Sequence, residues 1–129
     1  MSEDPKPEAG VPRLGALEQQ VMDVLWEHGA ATVREVIDRL PHEPAYTTIS
    51  TVLRNLERKD MVVPFRDGNA ARYRPRRSRD EHAAMLMEHA LAGSGDRRAS
   101  ILHFVEGMEP DDLALLRDHL ARNGREERP

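Results

Sequence analysis

The residues of this chain best suited to do chemistry lie between Tyr46 and Pro75, in YTTISTVLRNLERKDMVVPFRDGNAARYRP. Thr47, Thr51, Arg54 and Arg58 recur at helical spacing, with Ser50 and Asn55 on their flanks. A solvated helix face usually mixes Glu with Lys. This one offers hydroxyls, an amide and guanidinium groups, which are the groups that hydrogen-bond base edges and phosphate oxygens. The Arg54 fork matches guanine O6 and N7, the Asn55 amide matches adenine, and threonine methyls suit the thymine methyl. Thr48 sits nearer the buried side, where its alternative role is to cap the first turn. No catalytic site is expected. The Asp and Glu residues fall at helix-capping positions or on exposed faces, and no Gly-rich phosphate loop occurs.

A helix must hold these groups. Ile49, Val52, Leu53 and Leu56 fall at i, i+3, i+4 and i+7, which predicts one apolar stripe on a helix from Tyr46 to Lys59. The period then changes. Met61–Arg66 and Ala71–Arg74 read as short strands joined by the turn residues Asp67-Gly68-Asn69. Upstream, Leu17, Val21, Val24, Leu25 and His28 mark one face of a helix over about Gly15–His28, and Gly29 suits its C-terminal cap. Trp26, the single tryptophan, reads as a core or helix-packing residue. Ala30-Ala31 is long enough only for a bridging strand. Thr32 and Glu35 form a capping box for a second helix with Val33, Val36, Ile37 and Leu40 inward, and Pro41 and Pro44 end it. Three helices followed by a basic hairpin predict a mainly α fold, a winged helix-turn-helix over residues 13–77. Residues 1–12 are polar and rich in Pro and Gly, and read as a disordered tail.

The charge distribution agrees. The chain of 129 residues carries a net charge of −4, yet residues 46–79 hold nine basic and three acidic residues. Phosphate binding needs a local basic surface, which this stretch supplies. The absence of cysteine removes disulfides and thiolate metal sites. No apolar run is long enough to span a membrane and no signal peptide opens the chain, so a cytoplasmic location without membrane insertion is expected.

A helical region follows over residues 78–124. Ser78 and Glu81 form another capping box, opening a helix through about Ala92 that carries Ala83, Met85, Leu86, Ala90 and Leu91. Gly93-Ser94-Gly95 stops it, and Asp96 caps a short helix with Ile101, Leu102, Phe104 and Val105 that Gly107 closes. Pro110 and Asp111-Asp112 suit the start of a last helix, lined by Leu113, Leu116, Leu120 and Ala121 and ended by Asn123-Gly124. Residues 125–129 read as a frayed tail. Three short helices make a small core. Burying Met85, Leu86, Ile101, Phe104, Val105, Leu113, Leu116 and Leu120 against a second copy makes the region a dimerisation arm. A homodimer presents two reading helices, so its partner on double-stranded DNA is an inverted-repeat operator.

In this order the parts resemble the BlaI/MecI/CopY family of bacterial repressors, over about Leu14 to Leu120. The resemblance rests on LGALEQQVMDVLW, TTISTVLRNLERKDMV, the RYRP that closes the wing, and ILHFVE in the arm. It implies a dimeric repressor of a palindromic operator, with Thr47, Thr48, Ser50, Thr51, Arg54 and Asn55 in the DNA-reading stretch. It further implies that Arg72 and Arg74 meet backbone phosphates from the wing strand. Many family members answer to a membrane-bound sensor protease that cuts before a Phe in the arm. The corresponding bond here is His103-Phe104. Copper-sensing members use C-terminal cysteines, which this chain lacks, and no cofactor is expected.

Two other readings come from the residues. His82 and His89 share one helix face with Met85, as a metal or haem pair would, but no HxxxH or HExxH spacing occurs. Partly exposed polar or dimer-contact positions describe them better, so no metal site is expected. The rival to DNA binding is a winged-helix adaptor that docks protein, for which the acidic C-terminal half would be the surface. The localised positive charge favours DNA.

Overall fold

The computed structural model describes residues 13–127, with side chains through residue 124. The tail expected over residues 1–12 lies outside the described residues. The elements run α1 (Ala16–His28), α2 (Val33–Asp38), α3 (Tyr46–Arg58), β1 (Val62–Asp67), β2 (Ala70–Pro75), α4 (Arg79–Ala92), α5 (Arg97–Glu106) and α6 (Pro110–Glu127). The chain divides into two compact units, one ending at Met87 and one starting at Glu88. The dividing line therefore falls inside α4.

The first unit is built on the three expected helix faces. Val21, Met22 and Leu25 of α1, Val36 and Ile37 of α2, and Ile49, Leu53 and Leu56 of α3 share one core with Met61 and Val62. Thr32 caps α2 as a full box: its Oγ1 accepts from Glu35 N at 3.1 Å, and Glu35 Oε1 accepts from Thr32 N at 2.9 Å. The α2 helix stops at Asp38, before the first proline can act on it. The end of α3 is closed without glycine. Asp60 takes φ 64°, Met61 N donates to Leu56 O at 2.9 Å, and Asp60 N donates to Glu57 O at 3.0 Å. This is a Schellman motif, and the buried Met61 and Leu56 supply its apolar contact. The α3 helix is thus stopped firmly, and the chain leaves it already aimed into β1.

The hairpin pairs antiparallel from Val62↔Pro75 to Asp67↔Ala70. Its loop is Gly68-Asn69, one residue shorter than the expected turn, because Asp67 still pairs. Gly68 takes φ 65°, the first position of a type II′ turn, which a side chain would strain. Ala31 joins the hairpin as an isolated bridge: Ala31 N donates to Tyr73 O at 3.0 Å and Tyr73 N donates to Ala31 O at 2.9 Å. That bridge fastens the wing to the α1–α2 connection.

Trp26 has a specific role. Its indole Nε1 donates to Arg77 O at 2.9 Å, the Arg79 guanidinium lies 5.5 Å from the ring centre, and the His82 ring lies 5.3 Å away. His82 is buried here, so it is not one half of an exposed pair with His89. The first turn of α4, opened by the Ser78–Glu81 box, is thereby held on α1. Burial, with Arg77 nearby, lowers the His82 pKa below the ordinary histidine value. The unfolded chain then takes up a proton first as the pH falls. The stability due to neutral His82 is complete above about pH 6.5 and is lost as the pH drops toward the lower folded value. Urea midpoints should therefore fall between about pH 7.5 and about pH 5.5, and His82→Gln should flatten that fall. An equally steep fall in the Gln variant would exclude His82 as its source.

The second unit has a different character. Asp96 caps α5 by accepting from Ala99 N at 3.0 Å, and Arg97 pairs with Glu88 at 3.1 Å. No residue of α5 is buried. Ile101, Leu102, Phe104, Leu113, Leu115, Leu116 and Leu120 are all exposed, while Met85 and Val105 are half-buried. The α6 helix does not stop at Asn123-Gly124 but continues to Glu127. Gly124 costs helix stability without breaking the hydrogen-bond ladder, unlike a proline. No helix among the described residues is long and apolar enough to cross a membrane.

Candidate nucleic-acid interface

The α3 helix divides its residues sharply. Ile49, Leu53 and Leu56 are fully buried, whereas Thr47, Thr48, Thr51, Arg54 and Arg58 are exposed and Ser50 and Asn55 are half-buried. The exposed groups are barely engaged with the rest of the protein. Arg54 Nη2 reaches Ser50 Oγ at only 3.5 Å, and neither Arg54 nor Arg58 forms an ion pair among the described residues. Thr48 does not cap the helix. Ala45 is the N-cap and offers no side-chain acceptor, so the first-turn N–H groups lack a side-chain partner.

The ends of α3 are positioned by contacts distant in sequence. Lys59 Nζ donates to Glu18 Oε1 at 2.8 Å and to Arg13 O at 2.9 Å, tying the helix C-terminus to the start of α1. Burial raises the Glu18 pKa, but the Gly15 N–H and the Lys59 ammonium outweigh it and hold the carboxyl below its ordinary value. At the other end, the Arg34 guanidinium of α2 lies 5.7 Å from the Tyr46 ring centre. Tyr46 is 52% exposed although it opens the helix. Both residues border the Thr47 face, and the sequence reading did not select either. An exposed aromatic at the first helical position was the available signal for Tyr46. Arg34 had none, because its partner lies on another helix.

The wing arginines differ from one another. Arg74 is exposed and forms no ion pair among the described residues. Arg66 at the tip is exposed and donates to Asn69 O at 3.2 Å. Arg72, expected to face phosphate, is half-buried, with Nη1 2.7 Å from Glu35 Oε1 and Nε 3.2 Å from Asp67 Oδ2. Beyond the wing, Arg76 and Arg77 both lean on Asp60, at 2.8 and 3.7 Å. Among the described residues no group of three His, Cys, Asp or Glu is placed to hold a metal ion. His103 and Phe104 are exposed, and the bond between them lies inside α5.

An uncommitted hydroxyl, amide and guanidinium face beside a basic hairpin offers the groups that hydrogen-bond base edges and phosphates. The sequence profile of the penicillinase repressor matches residues 14–122. This chain belongs to the penicillinase repressor family. It is 45% identical over 119 residues to the transcriptional regulator BlaI of Mycobacterium tuberculosis, covering 88% of this chain and 86% of that protein. Its fold also resembles Bacillus licheniformis BlaI, solved as a monomer in complex with the blaP half-operator. That likeness has a TM-score of 0.48 and 27% identity over 55% of this chain and 89% of that one. Family membership covers both units, since the matched span reaches from the start of α1 into α6.

Proposed function

We propose that this family member is a dimeric transcriptional repressor that places α3 in the major groove of an inverted-repeat operator. The observation that carries the reading is the division of α3 into a fully buried stripe and an exposed face of Thr47, Thr51, Arg54 and Arg58 with no structural duty. Residues near the start of such a helix meet base edges. Thr47, Thr48, Ser50 and Thr51 fit that position, with Arg54 and Asn55 one turn on and Arg58 near a phosphate. Arg74 of the wing supplies a further phosphate contact, and Tyr46 with Arg34 borders the same face. Dimerisation is supported by the apolar surface that α5 and α6 leave uncovered. Relief by a membrane-bound sensor protease at His103-Phe104 belongs to the same proposal. Because that bond is helical, cutting it requires α5 to open locally. Intact-mass analysis of induced cells that finds no fragment ending at His103 would remove this part.

The test of base reading is Arg54→Ala, assayed against operators randomised one position at a time. The expected result is a loss of about 1–3 kcal/mol concentrated at one base pair of each half-site, with specificity relaxed there. An equal loss on every sequence would reduce Arg54 to a phosphate contact. No loss at all would favour the adaptor reading.

A further inference from the structure

Arg72 is the most constrained of the three wing arginines, Arg66, Arg72 and Arg74. Its Nη1 donates at 2.7 Å to Glu35 Oε1, the same oxygen that accepts Thr32 N at 2.9 Å in the α2 capping box. Its Nε is buried and lies 3.2 Å from Asp67 Oδ2 without hydrogen-bond alignment. An arginine grips phosphate best by a two-pronged approach. Here Nε is closed off from solvent, which shuts the side-on fork through Nε and Nη2, and Nη1 already gives an N–H to Glu35. Two carboxylates already flank the guanidinium, and a phosphate drawn to it would meet both. Arg74, two residues further along the same strand, has no such partners among the described residues, and Arg66 touches only a carbonyl.

We propose that Arg72 is a positioning residue that locks the wing to the capping box of α2, and that the wing's phosphate contacts belong to Arg74 and Arg66. The capping box of α2 thereby does two jobs, starting a helix and anchoring the hairpin. Together with the Ala31–Tyr73 bridge it holds β2 at both its middle positions, Arg72 and Tyr73. The wing angle is then set by α2, the helix that precedes the reading helix, so wing and reading helix meet DNA as one rigid surface. This inference rests on the DNA-binding reading above.

The two roles differ in salt dependence. Each phosphate neutralised adds about 0.9 to the slope of log affinity against log salt, whereas a residue that only orients others adds none. Operator affinity of the full-length protein should be measured across a salt series for Arg72→Ala, Arg74→Ala and Glu35→Gln. Arg74→Ala is expected to lower the slope by about one unit. Arg72→Ala and Glu35→Gln are expected to weaken binding to a similar degree with the slope unchanged, and the double variant should be no weaker than either single one. Thermal melts identify any variant that has merely lost its fold. A slope lowered by about one unit in Arg72→Ala, with Glu35→Gln neutral or tighter in binding, would overturn the proposal and return Arg72 to the phosphate. If the unsubstituted protein shows no operator preference at any salt, the DNA-binding reading itself fails, an outcome distinct from either of these.

Discussion

Phe104→Asp is expected to convert the repressor to a monomer in sedimentation and to weaken binding to the full operator by about 10²- to 10⁴-fold. Phe104 is 63% exposed on a helix that buries nothing within its own unit. A carboxylate at that position cannot be covered by a second copy without losing its water, and the desolvation of an unpaired charge is among the largest costs available to an interface. The linked half-sites are what the loss removes. Two weak contacts held on one particle gain an effective concentration that two separate particles lack. Affinity for an isolated half-site should accordingly stay near that of the unsubstituted protein, because residues 47–58 lie in the other unit. A variant that remains dimeric would move the interface elsewhere on the arm, with Leu115 and Leu120, 66% and 60% exposed, as the next residues to test. An unsubstituted protein already monomeric at micromolar concentration would overturn the dimer altogether.

Leu53→Ala is expected to remove the folded winged helix at 37 °C. Leu53 is fully buried where α3 meets α1 and α2, and truncating such a leucine costs about 2–5 kcal/mol through lost burial and the cavity left behind. Small domains hold only about 5–15 kcal/mol in total. Far-UV circular dichroism should show a much lower or vanished melting transition, with operator binding lost in parallel. The neighbouring substitution Arg54→Ala should melt like the original protein. If Leu53→Ala melted normally while binding was lost, Leu53 would lie at the DNA rather than in the core.

These contrasts explain how much of the molecule was legible in its sequence. Every feature decided within a few residues could be read directly. The stripe of α3 repeats over two turns, and each capping box at Thr32–Glu35 and Ser78–Glu81 closes over three residues. What could not be read was pairing across the chain. Arg72 finds Glu35 on another helix, and Trp26 finds Arg77 and His82 far along the sequence. Nothing in the local pattern of Arg-Tyr-Arg tells the half-buried Arg72 from the exposed Arg74. Strand alternation would in fact put both on one side, and only the nearby carboxylates separate them. The end of α6 was misplaced for a related reason: Asn-Gly is a turn signal only where something else favours turning.

The separation of labour on α3 also has an evolutionary side. Fold stability is vested in Ile49, Leu53 and Leu56, while the exposed side chains proposed to meet bases support no other part of the described protein. Exchanges at Thr47, Thr51 or Arg54 can therefore accumulate without compensating changes in the core, and the helix can be retuned to a new operator one base pair at a time. After a gene duplication, two copies of this chain could drift to different promoters while their scaffolds stayed interchangeable. The same freedom is not shared by Arg72. Its partners lie on α2 and in the wing, so changing it means altering three places at once.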